Sequence, residues 1–243
     1  MKYTIITACL NSIDTIEKTV NSILIQKVLP NQYIFVDGGS DDGTIEFIKK
    51  FKSQNSSLNI LLISQKTKGG IYEAWNMALK KVSNNSEYIF ILNSDDWYIN
   101  DTLSFVKNFF ENNSTIDVLC GASLNYYLEN KTSRSFNKNF IFFPVLMPIV
   151  HPACFIRKSV YDRIGIFNQL YKVSGDYDFL YRCYNSNIKF NFVNRILVKR
   201  NMGGFADSNK SLARLETLKI GLAHSNFKIF SLLAFLFRII LKK

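Results

Sequence analysis

Apolar and polar positions along the first half of the chain alternate between two patterns. Short runs of consecutive apolar residues are typical of buried strands, and the stretches between them have an apolar residue every three or four positions, which predicts amphipathic helices. The predicted strands are Tyr3–Thr7, Tyr33–Val36, Ile60–Ile63, Tyr88–Leu92 and Val118–Cys120, and the predicted helices are Ile13–Leu24, Thr44–Phe51, Tyr72–Val82 and Leu103–Phe110. This order predicts an α/β fold with a mostly parallel central sheet that is covered by helices on both faces.

The second half of the chain is less regular. Strand-like segments at Cys154–Arg157 and Phe190–Val193 bracket a helical pattern that begins at Asp176. Residues 133–148 are basic and aromatic without a clear period, which predicts a mobile loop, and residues 207–224 form a basic amphipathic pattern. We see no internal repeat and no low-complexity linker, so a single domain is expected.

The C-terminal end has a composition of its own. Residues 227–243 are apolar and interrupted by single basic residues, and the longest uncharged run, Ile229–Phe237, is far shorter than the roughly 20 residues that span a bilayer. Such a helix suits the plane of a membrane interface, and a helix buried on the domain or in a dimer is the alternative. We expect a domain at 1–205 and a membrane-associating helical appendage at 206–243.

Composition narrows the class of protein. The 243 residues are 47% hydrophobic and 20% charged, which is typical of a folded domain rather than a disordered chain. The four cysteines are scattered without a C-x-x-C pair, so a disulfide scaffold is excluded and no zinc-site spacing is present. The start of the chain has no basic segment followed by a long apolar run, so we expect a cytoplasmic protein, peripheral on the inner face of the membrane.

The net charge of +11 indicates an anionic partner, which is a phosphate, a nucleic acid or an anionic lipid surface. A basic nucleic-acid-binding module is one hypothesis. The aromatic residues fall mostly inside the strand and helix patterns, and no compact basic–aromatic motif is present, so no nucleic acid is expected as partner.

Polar clusters follow several predicted strands, and in parallel sheets ligands bind at the carboxyl ends of the strands. The run from Asp37 to Thr44 contains glycines and residues that can cap the next helix, so a capped strand–turn–helix explains it as well as a binding loop does. Asp95 and Asp96 follow the strand at Tyr88–Leu92. Adjacent carboxylates in a cleft repel each other, and Mn²⁺ or Mg²⁺ would relieve that repulsion, although a helix cap is the alternative.

A third polar cluster, around Asp176, and two weaker features complete the candidate chemistry. Asp178 and Arg182 are four residues apart, so they are expected to form an ion pair within one helix, which leaves Asp176 as the candidate general base. Gly69 and Gly70 precede a helix and permit close approach of a phosphate, or simply form a flexible helix start. His151 precedes a strand and could contact a diphosphate or lie in the core.

In this order, these motifs resemble the inverting glycosyltransferases of family 2, which have a nucleotide-sugar-binding GT-A fold. The resemblance covers roughly residues 2 to 205. It rests on TACLN (Thr7–Asn11), VDGGSDDGT (Val36–Thr44), GGIYEAWN (Gly69–Asn76), LNSDD (Leu92–Asp96), the His151 strand and GDYDFLYR (Gly175–Arg182). The variants of these motifs look most like those of enzymes that build bacterial O-antigen, capsule or lipooligosaccharide.

The resemblance implies a role for each matching position. Asp176 matches the catalytic base, and Asp96, with Asp95 beside it, matches the carboxylates that contact a Mn²⁺ or Mg²⁺ ion. Donor contacts are implied for Thr7, Ala8, Asn11, Asp37, Gly70, Asn76, Asp95 and His151. The implied reaction transfers a sugar from a nucleotide-diphosphate donor, expected to be UDP-linked, to a lipid-linked oligosaccharide at an anionic membrane surface.

Three departures from the family pattern bear on the choice of nucleobase. Gly38 stands where many relatives have a second acidic residue, Asn93 stands where many have an aspartate, and Leu10 replaces a common tyrosine. The nearest rival hypothesis is a polyprenyl-phosphate sugar synthase of the same fold. Those enzymes usually have an acidic-x-acidic-Leu-Gln motif, and this chain has Asp95-Asp96-Trp97-Tyr98 in its place. A catalytically inactive scaffold of the same fold is a further alternative.

Overall fold

The computed structural model describes residues 1–67, 69–127, 130–134 and 139–240. Its strands are β1 (Tyr3–Cys9), β2 (Gln32–Asp37), β3 (Ile60–Ser64), β4 (Tyr88–Ile91), β5 (Asp96–Tyr98), β6 (Val118–Tyr127), β7 (Asn130–Arg134), β8 (Cys154–Arg157) and β9 (Phe190–Asn201). Its helices are α1 (Ile13–Leu24), α2 (Thr44–Gln54), α3 (Ile71–Leu79), α4 (Thr102–Asn112), α5 (Lys158–Ile164), α6 (Gly175–Asn185), α7 (Phe205–Ser208), α8 (Lys210–His224) and α9 (Lys228–Ile240). Short 3₁₀ helices cover Phe140–Phe142 and His151–Ala153.

The strands of these residues form one sheet in the order β3-β2-β1-β4-β8-β6-β9-β5, with β7 paired to β6. The first four strands in the chain are parallel, and β8 runs antiparallel between β4 and β6. The predicted α/β fold is confirmed. The parallel half comes from the regular alternation of strands and helices, and the second half of the chain adds the antiparallel pairs.

Two apolar layers cover the two faces of the sheet. Ile6 on β1 faces a layer that includes Trp75 of α3, while its neighbour Ile5 faces a layer that includes Ile16 of α1. Successive side chains of a strand point to opposite faces, so an uninterrupted apolar strand supplies both layers at once. The carboxyl ends of these strands are thereby held at one edge of a rigid core.

The structure differs from the predicted elements mainly in the second half. β6 and β9 extend well beyond the predicted Val118–Cys120 and Phe190–Val193, because their later residues alternate with polar ones and lose the continuous apolar signal. Within the predicted loop at 133–148, Phe143 is fully buried, and residues 135–138 lie outside the described residues. The amphipathic pattern at 207–224 is divided into α7 and α8.

α9 crosses α8 at a close contact and leaves most of its surface open. Ser231 is the buried residue of α9, and its hydroxyl donates to the Pro144 carbonyl at 2.7 Å. A Cβ atom on Gly221 would lie 2.5 Å from both Pro144 O and Ser231 Oγ, so only glycine permits this crossing. No helix in the described part of the chain combines the length and the apolar character needed to cross a membrane.

Candidate active site

The loops after β1, β2 and β4 are joined by hydrogen bonds at the carboxyl edge of the sheet. The Asn11 side chain accepts from the Asp41 N–H at 3.0 Å, and the Asn11 N–H donates to Ser40 Oγ at 2.9 Å. Ser12 connects the first loop to the third, since its hydroxyl lies 2.9 Å from Ser94 Oγ. The predicted donor residue Asn11 therefore uses its amide oxygen to hold the neighbouring loop.

Asp37 ends β2 and organises the turn that follows it. Its carboxylate is buried and accepts from the Gly39 and Ser40 N–H groups, both at 2.9 Å, and from the Ser40 hydroxyl at 2.6 Å. Gly39 has φ of 96°, which glycine adopts without strain. The carboxylate thus stabilises the turn whether or not it also contacts a donor.

Thr7 and Ala8, for which donor contacts are expected, lie on opposite faces of β1. Thr7 is fully buried and its hydroxyl lies 3.0 Å from the Tyr33 hydroxyl, so its side chain belongs to the core. Ala8 points the other way and packs against the layer on the α3 side. A donor contact at Thr7 would therefore involve its backbone.

Gly70 and Asn76 belong to the start and the middle of α3. Gly70 has φ of 83° and open space where a Cβ would stand, which leaves room beside the helix start. Asn76 is buried, and its side-chain amide donates to the Phe167 carbonyl at 2.8 Å and accepts from the Phe167 N–H at 2.9 Å. The Asn76 side chain therefore holds the segment around Phe167 through both its nitrogen and its oxygen.

Asp95 and Asp96 form an acidic pair at the start of β5. Asp96 is 2% exposed, and burial together with the Asp95 carboxylate raises the pKa of its carboxyl to about 8. Burial also raises the pKa of Asp95. The nearby Asn93 amide donates to Asp96 Oδ2 at 3.2 Å, and its own oxygen is buried with no hydrogen-bond partner among the described residues.

This acidic pair fits a divalent cation. The site offers hard oxygen ligands, namely two carboxylates that are costly to charge and one unpaired amide oxygen. Mg²⁺ or Mn²⁺ commonly binds one or two protein carboxylates and completes its shell with water and substrate phosphates. Within residues 1–67, 69–127, 130–134 and 139–240, no cluster of three or more His, Cys, Asp or Glu side chains converges. An ion held by this acidic pair would therefore complete its shell with oxygens from water and from the substrate.

Arg200 is a site residue that sequence reasoning missed. It pairs with Asp96 across β5 and β9, and its charge lowers the pKa of both Asp95 and Asp96 against the effect of burial. Its Nε is buried without a hydrogen-bond partner in the described residues. Arg134 at the end of β7 interacts electrostatically with Arg200 and with Asp176. Arg200 therefore acts on Asp95 and Asp96, and Arg134 acts on Asp176. The place of Arg200 opposite Asp96 follows from the strand register, which the sequence does not show.

Asp176 lies in the first turn of α6 and is held by two donors. The single hydroxyl hydrogen of Tyr72 is shared between the Val173 carbonyl, at 2.7 Å, and Asp176 Oδ1, at 3.2 Å, and the Tyr177 N–H donates to the same carboxylate oxygen at 2.9 Å. A Cβ on Gly175 would lie 2.9 Å from the Tyr72 ring, so glycine permits this approach. The second oxygen, Oδ2, accepts no hydrogen bond from the described residues, which leaves it available for a substrate.

His151 lies next to this base but behaves as a core residue. It is 4% exposed and stacks on Trp75 with ring centroids 5.0 Å apart. Burial lowers the pKa of its imidazole, while the negative charge of Asp176 acts in the opposite direction. The structure thus brings His151 close to Asp176, with its ring packed against an indole.

The ion pair between Asp178 and Arg182 is confirmed, with Arg182 Nε 2.9 Å from Asp178 Oδ2. His224, which the sequence did not single out, lies 2.8 Å from Asp178 Oδ1. Asp178 therefore connects α6 to α8. Its role is structural, and Asp176 remains the candidate base on this helix.

Glu216 on α8 holds the segment that leads to Asp176. Its buried carboxylate accepts three backbone N–H groups, from Lys172 at 2.7 Å, Val173 at 2.9 Å and Ser174 at 2.8 Å. Glu216 is more than 40 residues from these partners along the chain, so no sequence pattern predicts the contact. α8 is therefore part of the support of the candidate base.

Known proteins resemble this chain over most of its length. Residues 4–165 match the family described as Glycosyl transferase family 2. The chain is 27% identical over 184 residues to a PGL/p-HBAD biosynthesis glycosyltransferase of Mycobacterium tuberculosis, covering 76% of this chain and 70% of the relative. It is 28% identical over 130 residues to a poly-β-1,6-N-acetyl-D-glucosamine synthase of Staphylococcus aureus, covering 54% of this chain and only 30% of that protein.

Two solved structures share the fold. Residues 1–349 of S. aureus TarS in complex with UDP-GlcNAc align with a TM-score of 0.73 and 20% identity, covering 95% of this chain and 69% of that one. The mannosyltransferase PcManGT from Pyrobaculum calidifontis, in complex with GDP-Man and Mn²⁺, aligns with a TM-score of 0.70 and 15% identity, covering 95% and 68%. At these identities the likeness extends to the fold alone, and it is the GT-A fold that the sequence predicted.

Proposed function

Because the chain belongs to glycosyl transferase family 2, we propose that it transfers a sugar, with inversion, from a nucleotide-diphosphate donor to a hydroxyl group of a lipid-linked saccharide. The observation that carries this proposal is the position of Asp176, whose Oδ1 is held by Tyr72 and the Tyr177 N–H while Oδ2 stays open. UDP is the expected nucleotide. Relatives named for PGL/p-HBAD biosynthesis and for poly-β-1,6-N-acetyl-D-glucosamine synthesis support a role in bacterial surface polysaccharide assembly, such as O-antigen, capsule or lipooligosaccharide.

Asp176 acts as general base in this scheme. Its Oδ2 takes the proton of the acceptor hydroxyl while that oxygen forms a bond to the anomeric carbon, and the bond from the anomeric carbon to the diphosphate oxygen breaks. The nucleoside diphosphate leaves from the opposite face of the sugar, so one displacement inverts the configuration. The hydrogen bond from Tyr72 keeps the carboxylate in place.

The acidic pair and the arginines form the donor side. Asp96, with Asp95 and the Asn93 amide oxygen, would hold a Mn²⁺ or Mg²⁺ ion, which supplies charge neutralisation for the leaving diphosphate when it is bound. Arg200 and Arg134 add positive charge on the same side, and Arg200 has an unpaired Nε–H to donate to a phosphate oxygen. Donor binding would then give partners to two buried groups that have none among the described residues, the Asn93 amide oxygen and Arg200 Nε.

A donor screen tests the reaction class. Release of nucleoside diphosphate would be measured for UDP-, GDP- and dTDP-sugars with Mn²⁺, Mg²⁺ or chelator, and we expect slow, metal-dependent hydrolysis of one donor that Asp96→Ala abolishes. Asp176→Asn should retain donor-induced thermal stabilisation and lose about 10²–10⁴-fold in transfer rate. Transfer by Asp176→Asn within a few-fold of wild type would show that another group is the base.

The exposed face of α9 supports a peripheral position on the inner face of the cytoplasmic membrane. Its apolar side chains include Phe230, Leu233 and Phe237, which are all more than half exposed, and basic residues flank them. Such a surface suits the interface of an anionic bilayer, where each cationic residue near the lipid contributes about 1 kcal/mol. In this proposal the domain spans 1–205 and the appendage 206–243, and the appendage faces the membrane through α9, while α8 packs on the domain through Glu216 and Ile220.

Vesicle flotation tests the role of α9. Serine at Phe230, Leu233 and Phe237 should release the protein from vesicles that contain anionic lipid, because the substitutions remove the exposed apolar area and keep the Ser231 contact. The control carries serine at three exposed apolar positions elsewhere, namely Leu29, Ile141 and Leu170. Equal flotation of both variants would rule out α9 as the membrane contact.

A further inference from the structure

A surface groove lies beside β5, on the side that faces α1. Its volume is about 740 Å³, and it is lined by one side of α1 and by residues 97–100. Trp97 lines the groove, whereas the side chain of Asp96, its neighbour on the strand, is buried. Asp95, Asp96 and Asp176 are not among the lining residues, so the groove is distinct from the candidate active site.

An aromatic surface forms one wall of the groove. The Trp97 ring packs against the Tyr126 ring, with centroids 5.4 Å apart, and Lys18 Nζ lies 3.4 Å from the centroid of the indole. Lys18 is exposed and flexible, and a cation–π contact at an exposed site contributes only about 0.5–1 kcal/mol. A flat ligand could therefore displace the lysine from the indole at small cost.

The charges around the groove balance. Asp14 and Glu17 on α1 supply two carboxylates, and Lys18 and Lys199 supply two ammonium groups. On a chain with a net charge of +11, a groove without net charge does not select a polyanion. The carboxylates accept hydrogen bonds, the ammonium groups donate them, and the Asn21 amide does both, so the groove suits a neutral ligand with many hydroxyl groups.

We propose that this groove is a secondary saccharide-binding site, which holds a neutral oligosaccharide portion of the acceptor away from the place of transfer. A pyranose ring has an apolar face that stacks on an indole and a rim of hydroxyls that both donate and accept hydrogen bonds. The cavity volume lies within the range of roughly 300–1,000 Å³ that is common for small-molecule sites. The identity of the ligand as acceptor rests on the proposed function, whereas the binding itself does not require the reaction.

Tryptophan fluorescence tests the binding without a donor. Maltotriose, cellotriose and triacetylchitotriose would each be titrated into the wild-type protein to millimolar concentration. Trp97 lines the groove while Trp75 is buried, so we expect a saturable change for at least one trisaccharide and none in Trp97→Phe, which reports the Trp75 background. Absence of any saturable change in the wild type would overturn the proposal.

Variants on α1 provide a second readout that does not depend on Trp97. Glu17→Gln and Asn21→Ala lie on the exposed surface of α1 and should weaken trisaccharide binding, measured by saturation-transfer NMR, about 10-fold, while donor hydrolysis stays at the wild-type rate. Unchanged affinity in both variants would overturn the site. Saturable binding of inorganic phosphate or of anionic vesicles at the groove, in place of the trisaccharides, would overturn the ligand class.

The two proposals can fail separately. Trisaccharide binding by a protein that hydrolyses no donor would refute the proposed reaction and support the saccharide site. Donor hydrolysis without trisaccharide binding would support the proposed reaction and refute the saccharide site.

Discussion

Glu216→Gln is the substitution that most directly tests how α8 supports the candidate base. The carboxylate accepts the N–H groups of Lys172, Val173 and Ser174 at 2.7–2.9 Å, and glutamine has one acceptor oxygen in place of two. Its amide NH₂ would then face at least one backbone N–H, so that donor meets donor. A hydrogen bond to a charged group contributes about 1.5–3 kcal/mol, and a buried N–H left unpaired costs about 1–3 kcal/mol.

These values give an expected loss of about 3 kcal/mol in the free energy of unfolding. For a protein of this size, 1 kcal/mol corresponds to about 2–4 °C in Tm, so the melting temperature should fall by roughly 6–12 °C. The segment released in Glu216→Gln carries the Val173 carbonyl, which anchors Tyr72 beside Asp176. We therefore expect kcat for transfer to fall while the KM for the donor stays the same.

Thermal unfolding and steady-state transfer would measure the two effects, with Glu46→Gln as the control because Glu46 is exposed in the first turn of α2. A Tm within about 2 °C of wild type would refute the energetic argument. A normal Tm shift with unchanged kcat would show that the 172–174 segment does not position Asp176.

Three further substitutions test particular contacts. Tyr72→Phe removes the hydroxyl that donates to Asp176, so kcat should fall about 10-fold, the equivalent of about 1.4 kcal/mol, with donor affinity unchanged in a binding assay. The lowered pKa of His151 means that the folded state binds its proton less readily than the unfolded state, whose value is about 6.5. Stability should therefore be lost as pH falls below that value, and His151→Phe should show a smaller Tm decrease between pH 7.5 and pH 5 than wild type. Gly221→Ala places a methyl group 2.5 Å from the Pro144 carbonyl oxygen, and such overpacking typically costs about 1–3 kcal/mol, so a Tm equal to wild type would show that α8 and α9 can separate without loss.

The sequence predicted features that depend on neighbours along the chain. The ion pair of Asp178 and Arg182 followed from their spacing of four residues, and the parallel half of the sheet followed from its apolar runs. His224 and Glu216 could not be found in this way, because their partners are more than 40 residues distant and only the packing of α8 brings them together. Arg200 was missed for a related reason, since its place opposite Asp96 depends on strand register.

Side chains within the recognised motifs show a second limit of sequence reasoning. A motif identifies which residue types are present and leaves open which partner each polar atom takes. Asn76 uses both polar atoms of its amide on the backbone of Phe167, and the Thr7 hydroxyl lies beside Tyr33 in the core. These positions support the fold near the candidate site, whereas Asp176 has one carboxylate oxygen, Oδ2, that accepts no hydrogen bond from the described residues.

Some motif residues are hydrogen-bonded within the fold and others are exposed, and this difference indicates which positions could be varied to change the donor preference of this chain. Asp37 and Asn76 have their polar atoms committed to backbone partners, so a library that varies them would yield mainly destabilised protein. Leu10 is 63% exposed in the loop after β1, and Asp41 is exposed in the loop after β2. Saturation mutagenesis at these two positions would sample new nucleobase contacts at little cost to the yield of folded enzyme.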